Sequence, residues 1–135
     1  MNTPKREKVL ASKAPKPIGP YSAGIRWGDL VFASGMLGLD PETGKLVAGG
    51  VEAETRQALE NLRSILEGAG SSLARALKTT VFLQDMGEFS RMNAIYGEFF
   101  PSDPPARSTV QVAALPLGAR VEIEAIGARG EGHGD

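Results

Sequence analysis

"VEAETRQALENLRSILEGAG", residues 51–70, is the stretch whose reading decides the fold. Val51, Thr55, Ala58, Leu59, Leu62, Ile65, Leu66 and Ala69 recur at i, i+4, i+7 and i+8, the spacing that gathers them on one side of an α-helix. Gly49-Gly50 precede it, and Gly68 and Gly70 close it. A helix with one apolar stripe must lay that stripe on something, and strand-like segments on either side supply a sheet.

Before the helix, residues 8–11 read as a short strand, and "SKAPKPIGPYS" is a stiff connection punctuated by proline and glycine, with Tyr21 at its exit. "AGIRWGDLVFAS", residues 23–34, reads as two β segments around the turn dipeptide Gly28-Asp29, the second running into Gly35. "DPETGK" is a loop. After the helix, "LKTTVFLQ", residues 77–84, is a β-branched strand. Residues 88–100 return to helical spacing through Phe89, Met92, Ile95, Tyr96 and Phe99. Residues 107–113 and 119–128 read as strands joined by "ALPLG", which predicts antiparallel neighbours. The order β, ββ, α, β, α, ββ predicts an α+β domain, a mixed sheet with two helices on one face.

A chain of 135 residues with 41% hydrophobic content fits one domain, expected over residues 1–128 with a flexible C-terminal tail, 129–135. Fifteen basic residues against sixteen acidic give a net charge of −1, which disfavours nucleic acid as a partner. No cysteine is present, so thiol nucleophiles and thiolate metal sites are excluded, and the one histidine, His133, falls in the terminal "GEGHGD". No apolar run has the length of a membrane span, and a cytoplasmic protein is expected. Neither the acidic residues nor the glycines have the spacing of a calcium loop or a phosphate-binding loop, so no metal or cofactor is expected.

Chemistry concentrates in "DPPARSTVQV", residues 103–112, where two prolines deliver Arg107 from a rigid lead-in. Strand parity puts Arg107, Thr109 and Gln111 on one face, and Arg120, Glu122 and Glu124 on one face of the following strand. If the strands are neighbours, the two polar faces form one surface. A guanidinium fork suits bidentate binding of a carboxylate, and a nearby glutamate suits orienting or deprotonating water. Spacing does not choose between Glu122 and Glu124. A polar sheet face is ordinarily solvated, Tyr21 after a Gly-Pro turn is ordinarily a packed ring, Ser34 can simply end a strand, and Asn93 in a helix ordinarily caps or faces solvent.

Seven ordered motifs carry a resemblance: "IGPYSAG" at Ile18, "FASGMLGLDPETGKLVAGG" at Phe32, "ETRQALENLRSILEGAG" at Glu54, "KTTVFLQDM" at Lys78, "MNAIYGEFF" at Met92, "PPARSTVQVAALP" at Pro104 and "VEIEAI" at Val121. Over about residues 13–128 the chain resembles the RidA/YjgF family of reactive intermediate deaminases. The resemblance implies a chorismate-mutase-like subunit assembled as a homotrimer with ligand clefts between subunits. It further implies hydrolysis of 2-imino acids and their enamine tautomers, such as 2-iminobutanoate and 2-iminopropanoate, to 2-oxo acids and ammonia without a cofactor. By resemblance Arg107 binds the substrate carboxylate, Glu122 rather than Glu124 positions water, and Tyr21, Ser34, Gly35, Asn93 and Thr109 line the pocket. The chain departs from the common pattern at Met36, where many members have glutamine, at Thr109, where many have cysteine, and at Ala23, where many have glutamine. Two other readings use the same residues: a regulatory protein that binds small carboxylates without turnover, and a ribonuclease or translation inhibitor, which the charge balance disfavours.

Overall fold

The helix read from the opening stretch is α1 (Gly50–Gly68) of the computed structural model, which describes residues 3–130. Val51, Ala58, Leu59, Leu62 and Leu66 are fully buried along it. Each buried valine or leucine among them contributes about 1.5–3 kcal/mol relative to exposure, which makes this seam the main support of the core. Gly49 and Gly50 enter the helix at φ of 120° and 78°, a backbone turn that side chains resist.

Around α1 lie β1 (Arg6–Lys8), β2 (Gly24–Trp27), β3 (Leu30–Leu37), β4 (Ala76–Leu83), α2 (Phe89–Phe99), β5 (Ala106–Gln111) and β6 (Val121–Ala128). The sheet order is β1-β2-β3-β6-β4-β5. All neighbours are antiparallel except β4 and β5, which run parallel. Parallel strands require a crossover, and α2 supplies it. The expected α+β architecture is therefore present, with the core between α1 and one face of the sheet.

The last two strands differ from expectation. β5 and β6 are not a hairpin, because β4 stands between them. Residues 112–120 instead cross the end of β4, spanning two strand spacings, about 10 Å. That link is tied at both sides: Val112 N donates to Leu83 O (2.9 Å) and Gln84 N donates to Arg120 O (3.0 Å).

β3 also runs further than expected. Ala33 lies opposite Ala125 and Met36 opposite Ile123, so three steps on β3 match two on β6. The extra residue makes a bulge at Ser34-Gly35, and bulges re-aim side chains without ending the strand. β1 forms at residues 6–8 rather than 8–11, since Val9 bonds Gly24 O and buries its side chain where the pairing ends. At the other terminus, Arg129 N donates to Asp29 O (2.9 Å) and Gly130 N to Gly70 O (2.8 Å), so the first two residues of the expected tail are held by backbone bonds. Residues 131–135, with His133, lie outside the described residues. Among the described residues, no helix is long and apolar enough to cross a membrane, and no group of three or more His, Asp or Glu is placed to hold a metal.

Candidate functional site

β4 is the ruler that locates the two principal side chains. Thr79 pairs in register with Arg107 on β5, while Phe82 pairs with Glu122 on β6. Paired residues point to the same side of a sheet, and Thr79 and Phe82, three apart, point to opposite sides. Thr79 is fully buried against α2, where its Oγ1 lies 2.6 Å from the Tyr96 hydroxyl. Arg107 and Thr109 thus face the helices, and Glu122 and Glu124 face the bare side. The expected single polar surface of Arg107, Thr109, Glu122 and Glu124 does not form within the chain. Parity was right on each strand; the relation between strands was not, because it presumed direct pairing. Arg120 precedes β6 and turns away to Glu88, with Nη1 3.1 Å from Oε1.

The first group stands at the rim of the helix layer. Arg107 is half-buried on the edge strand; its Nη1 donates to Asn93 Oδ1 (2.8 Å), and its Cζ lies 4.6 Å from the Tyr96 ring centroid and 5.5 Å from that of Phe89. Asn93 is therefore neither a cap nor a solvated residue. No carboxylate among the described residues pairs with Arg107, in contrast to Arg120 and Arg91 on Glu88. Thr109, two residues on, has a buried hydroxyl without a partner among the described residues. Unsatisfied buried hydroxyls are uncommon and call for a ligand, water or neighbour. Burial is the main reason the Tyr96 phenol is pushed up from its ordinary value, opposed by its bond to Thr79 and by Arg107.

The second group surrounds a cavity of about 360 Å³ on the other side. Its walls are residues 15–18 and Tyr21, the bulged end of β3, and the Pro116-Leu117 turn, with Glu122 at its floor. Tyr21, Ser34, Gly35 and Glu122 come together here, and Ala23 and Met36 line the same space. Ser34 holds the connection in place: its Oγ donates to Ser22 O (2.6 Å) and its N to Ala23 O (2.9 Å). A Cβ on Gly35 would collide with the Glu122 carboxylate, Cδ being only 2.7 Å away, so glycine is what leaves room for the acid. Glu122 has its pKa raised, first by desolvation and second by the charge of Glu124. Among the described residues no hydrogen-bond donor meets it, and it is poised to accept a proton.

Two buried polar residues of α1 support this cavity. Asn61 Nδ2 donates to Leu37 O (3.0 Å) and Leu39 O (2.9 Å), fixing the chain where β3 ends. Glu54 Oε1 accepts from Arg120 N (2.8 Å), fixing the entry to β6 beside Glu122. Sequence reasoning missed both, along with Ile18, Leu37 and Leu117 of the wall. The available signal was an acid and an amide within or beside the apolar stripe of α1, a place where each must find a partner. Leu117 adds a backbone signal only geometry reveals, φ of 59° in an exposed leucine.

A mixed sheet bare on one face, both helices on the other, and polar groups at a rim and in a cavity define an α+β subunit of the chorismate-mutase-like, YjgF-like type. Residues 11–129 match the family model Ribonuc_L-PSP, described as endoribonuclease L-PSP. The chain is 51% identical over 122 residues to Reactive Intermediate Deaminase A, chloroplastic, of Arabidopsis thaliana, covering 90% of this chain and 65% of that protein. It is 49% identical over 125 residues to the 2-iminobutanoate/2-iminopropanoate deaminase of Mus musculus, covering 93% of each. The solved structure of the Escherichia coli YjgF gene product superposes with a TM-score of 0.87 at 40% identity, over 92% of this chain and 99% of that one. The chain belongs to the RidA/YjgF family.

Proposed function

We propose that the protein is a hydrolytic deaminase that converts 2-imino acids and their enamine tautomers, 2-iminobutanoate and 2-iminopropanoate among them, to 2-oxo acids and ammonia. The observation that carries the reading is the pair of groups unspent among the described residues: a guanidinium without an acid at the rim, and a carboxylate of raised pKa without a donor in the cavity. The names of relatives 46–51% identical to the chain point to the same chemistry.

The two groups act together only across a subunit boundary, and a homotrimer provides it. The bare sheet face carries Phe32 and Val110, 41% and 43% exposed, and a second copy covers this apolar surface. In a threefold ring each interface is heterologous, so the Arg107 rim of one subunit meets the Glu122 cavity of the next. Arg107 then holds the substrate carboxylate through the edge of its fork not given to Asn93, and the Thr109 hydroxyl gains a partner.

An iminium carbon is electrophilic, so positioning does most of the work. Glu122 accepts a proton from water as the water oxygen bonds to the imine carbon. That proton passes to the carbinolamine nitrogen; the C–N bond breaks as Glu122 takes the hydroxyl proton and the carbonyl forms, and ammonia leaves, carrying that proton away. Tyr21 and Ser34 shape the mouth, and the apolar wall of Ile18, Met36 and Leu117 suits a short aliphatic side chain. No metal or cofactor enters the scheme, and a cytoplasmic location, tested by imaging a fluorescent fusion, is part of the proposal.

The test couples a threonine dehydratase to semicarbazide, which traps the released imine. Added protein lowers semicarbazone formation by consuming the imine first. An unchanged trapping rate, with 2-oxobutanoate still bound, replaces turnover with carboxylate binding alone.

A further inference from the structure

Phe89, Asn93 and Tyr96 occupy positions i, i+4 and i+7 of α2, one face of the helix, and all three converge on the Arg107 guanidinium. Elsewhere α2 and its approaches hold arginines with acid: Glu88, at the start of this helix, binds Arg91 and Arg120 at 3.1 Å each. At Arg107 every partner among the described residues is neutral. Aromatic faces attract a cation through their quadrupole, and an amide oxygen accepts an N–H bond, yet neither cancels the charge. A carboxylate in the place of Asn93 would hold the fork equally well and compete with any incoming anion.

We infer that Phe89, Asn93 and Tyr96 form a charge-preserving clamp, a set of positioning residues that fixes the plane of Arg107 while leaving its full positive charge for the substrate carboxylate. The inference rests on Arg107 being the carboxylate anchor. Asn93 and the two rings act through Arg107 rather than on the reacting atoms. Thr79 extends the clamp into the core: it pairs with Arg107 in the sheet and bonds the Tyr96 hydroxyl, so the strand that sets the arginine's backbone also sets the ring beneath its head group. Tyr96 is further braced by Phe100, with centroids 4.6 Å apart. Phe89 and Tyr96, legible in sequence only as apolar helix positions, thereby acquire a role in substrate affinity.

Asn93→Asp tests this directly, because aspartate keeps the shape and the Oδ1 acceptor that Arg107 uses, while a charged oxygen replaces the amide NH2. Affinity for 2-oxobutanoate is measured by calorimetry beside kcat, KM and thermal unfolding. The clamp predicts an unchanged or raised melting temperature, about tenfold weaker 2-oxobutanoate binding, a matching rise in KM, and a smaller change in kcat. Phe89→Leu keeps apolar contact and removes the ring face; it weakens binding about two- to fivefold, and Phe89→Tyr restores it. Wild-type affinity in Asn93→Asp and Phe89→Leu, with affinity lost in Arg107→Ala, overturns the clamp and leaves the anchor standing. Wild-type affinity in Arg107→Ala overturns the anchor itself.

Discussion

Replacing Arg107 by lysine keeps a positive charge on the same edge strand and removes the fork. In the structure Nη1 is committed to Asn93 at 2.8 Å, which leaves the remaining N–H groups for a bidentate carboxylate. A lysine ammonium must serve both Asn93 and the ligand from one atom, so one carboxylate bond is lost. A hydrogen bond to a charged group contributes about 1.5–3 kcal/mol. The poorer fit of an ammonium over the Tyr96 ring, 4.6 Å from Cζ in the native protein, removes about 0.5–1 kcal/mol more. The sum, about 2–4 kcal/mol, corresponds to a fall of about 30- to 700-fold in kcat/KM. The side chain is only half-buried and pairs with no acid among the described residues, so the fold should survive with its melting temperature changed by a few degrees at most. Imine consumption in the dehydratase-coupled trapping assay reads the loss. A kcat/KM for Arg107→Lys within threefold of the native value would refute the reasoning, because a point charge would then suffice.

Glu122→Gln should slow hydrolysis by about 10²- to 10⁴-fold through loss of the proton acceptor. Its effect on stability has the opposite sign: Glu122 has a raised pKa in the folded protein, so the folded state loses stability as pH rises through that pKa. The glutamine variant should therefore melt above the native protein at pH 8, with the gap closing in acid, as scanning calorimetry at two pH values will show. Gly35→Ala places a Cβ against the Glu122 carboxylate, whose flexible end can move away. Activity should drop at least tenfold while stability in urea changes by about 1 kcal/mol or less; native activity would mean that Glu122 need not sit where it does.

Much of the fold can be read from the chain, because periodicity reports burial. The eight apolar or small positions of residues 51–69 identify α1, and Gly28-Asp29 marks the turn between β2 and β3. Strand order is different. A short link such as "ALPLG" reports only how far apart two ends lie, and with β5 ending at Gln111 and β6 starting at Val121 the connection over residues 112–120 is long enough to pass the end of β4. The better clue was the strand-helix-strand run over residues 76–111, since a helical crossover favours a parallel pair. That pairing puts Arg107 on the helix side and sends the glutamates to the other. For the site, family motifs supplied candidate residues, yet no one-dimensional pattern shows that Asn93 faces Arg107 or that Gly35 makes room for Glu122. Contacts of this kind depend on which elements pack together, and residues such as Glu54 and Asn61 become intelligible only when their backbone partners are known.

The central claim is that one active site takes Arg107 from one subunit and Glu122 from another, and mixing crippled variants tests it most directly. Arg107→Ala and Glu122→Gln are each expected to be inactive alone. Unfolded together in equal amounts and refolded, they form rings in which about one interface in four joins a native Arg107 rim to a native Glu122 cavity, so about a quarter of native activity should return. Mixtures that stay as inactive as their components, although mass spectrometry shows mixed rings, would contradict the shared site.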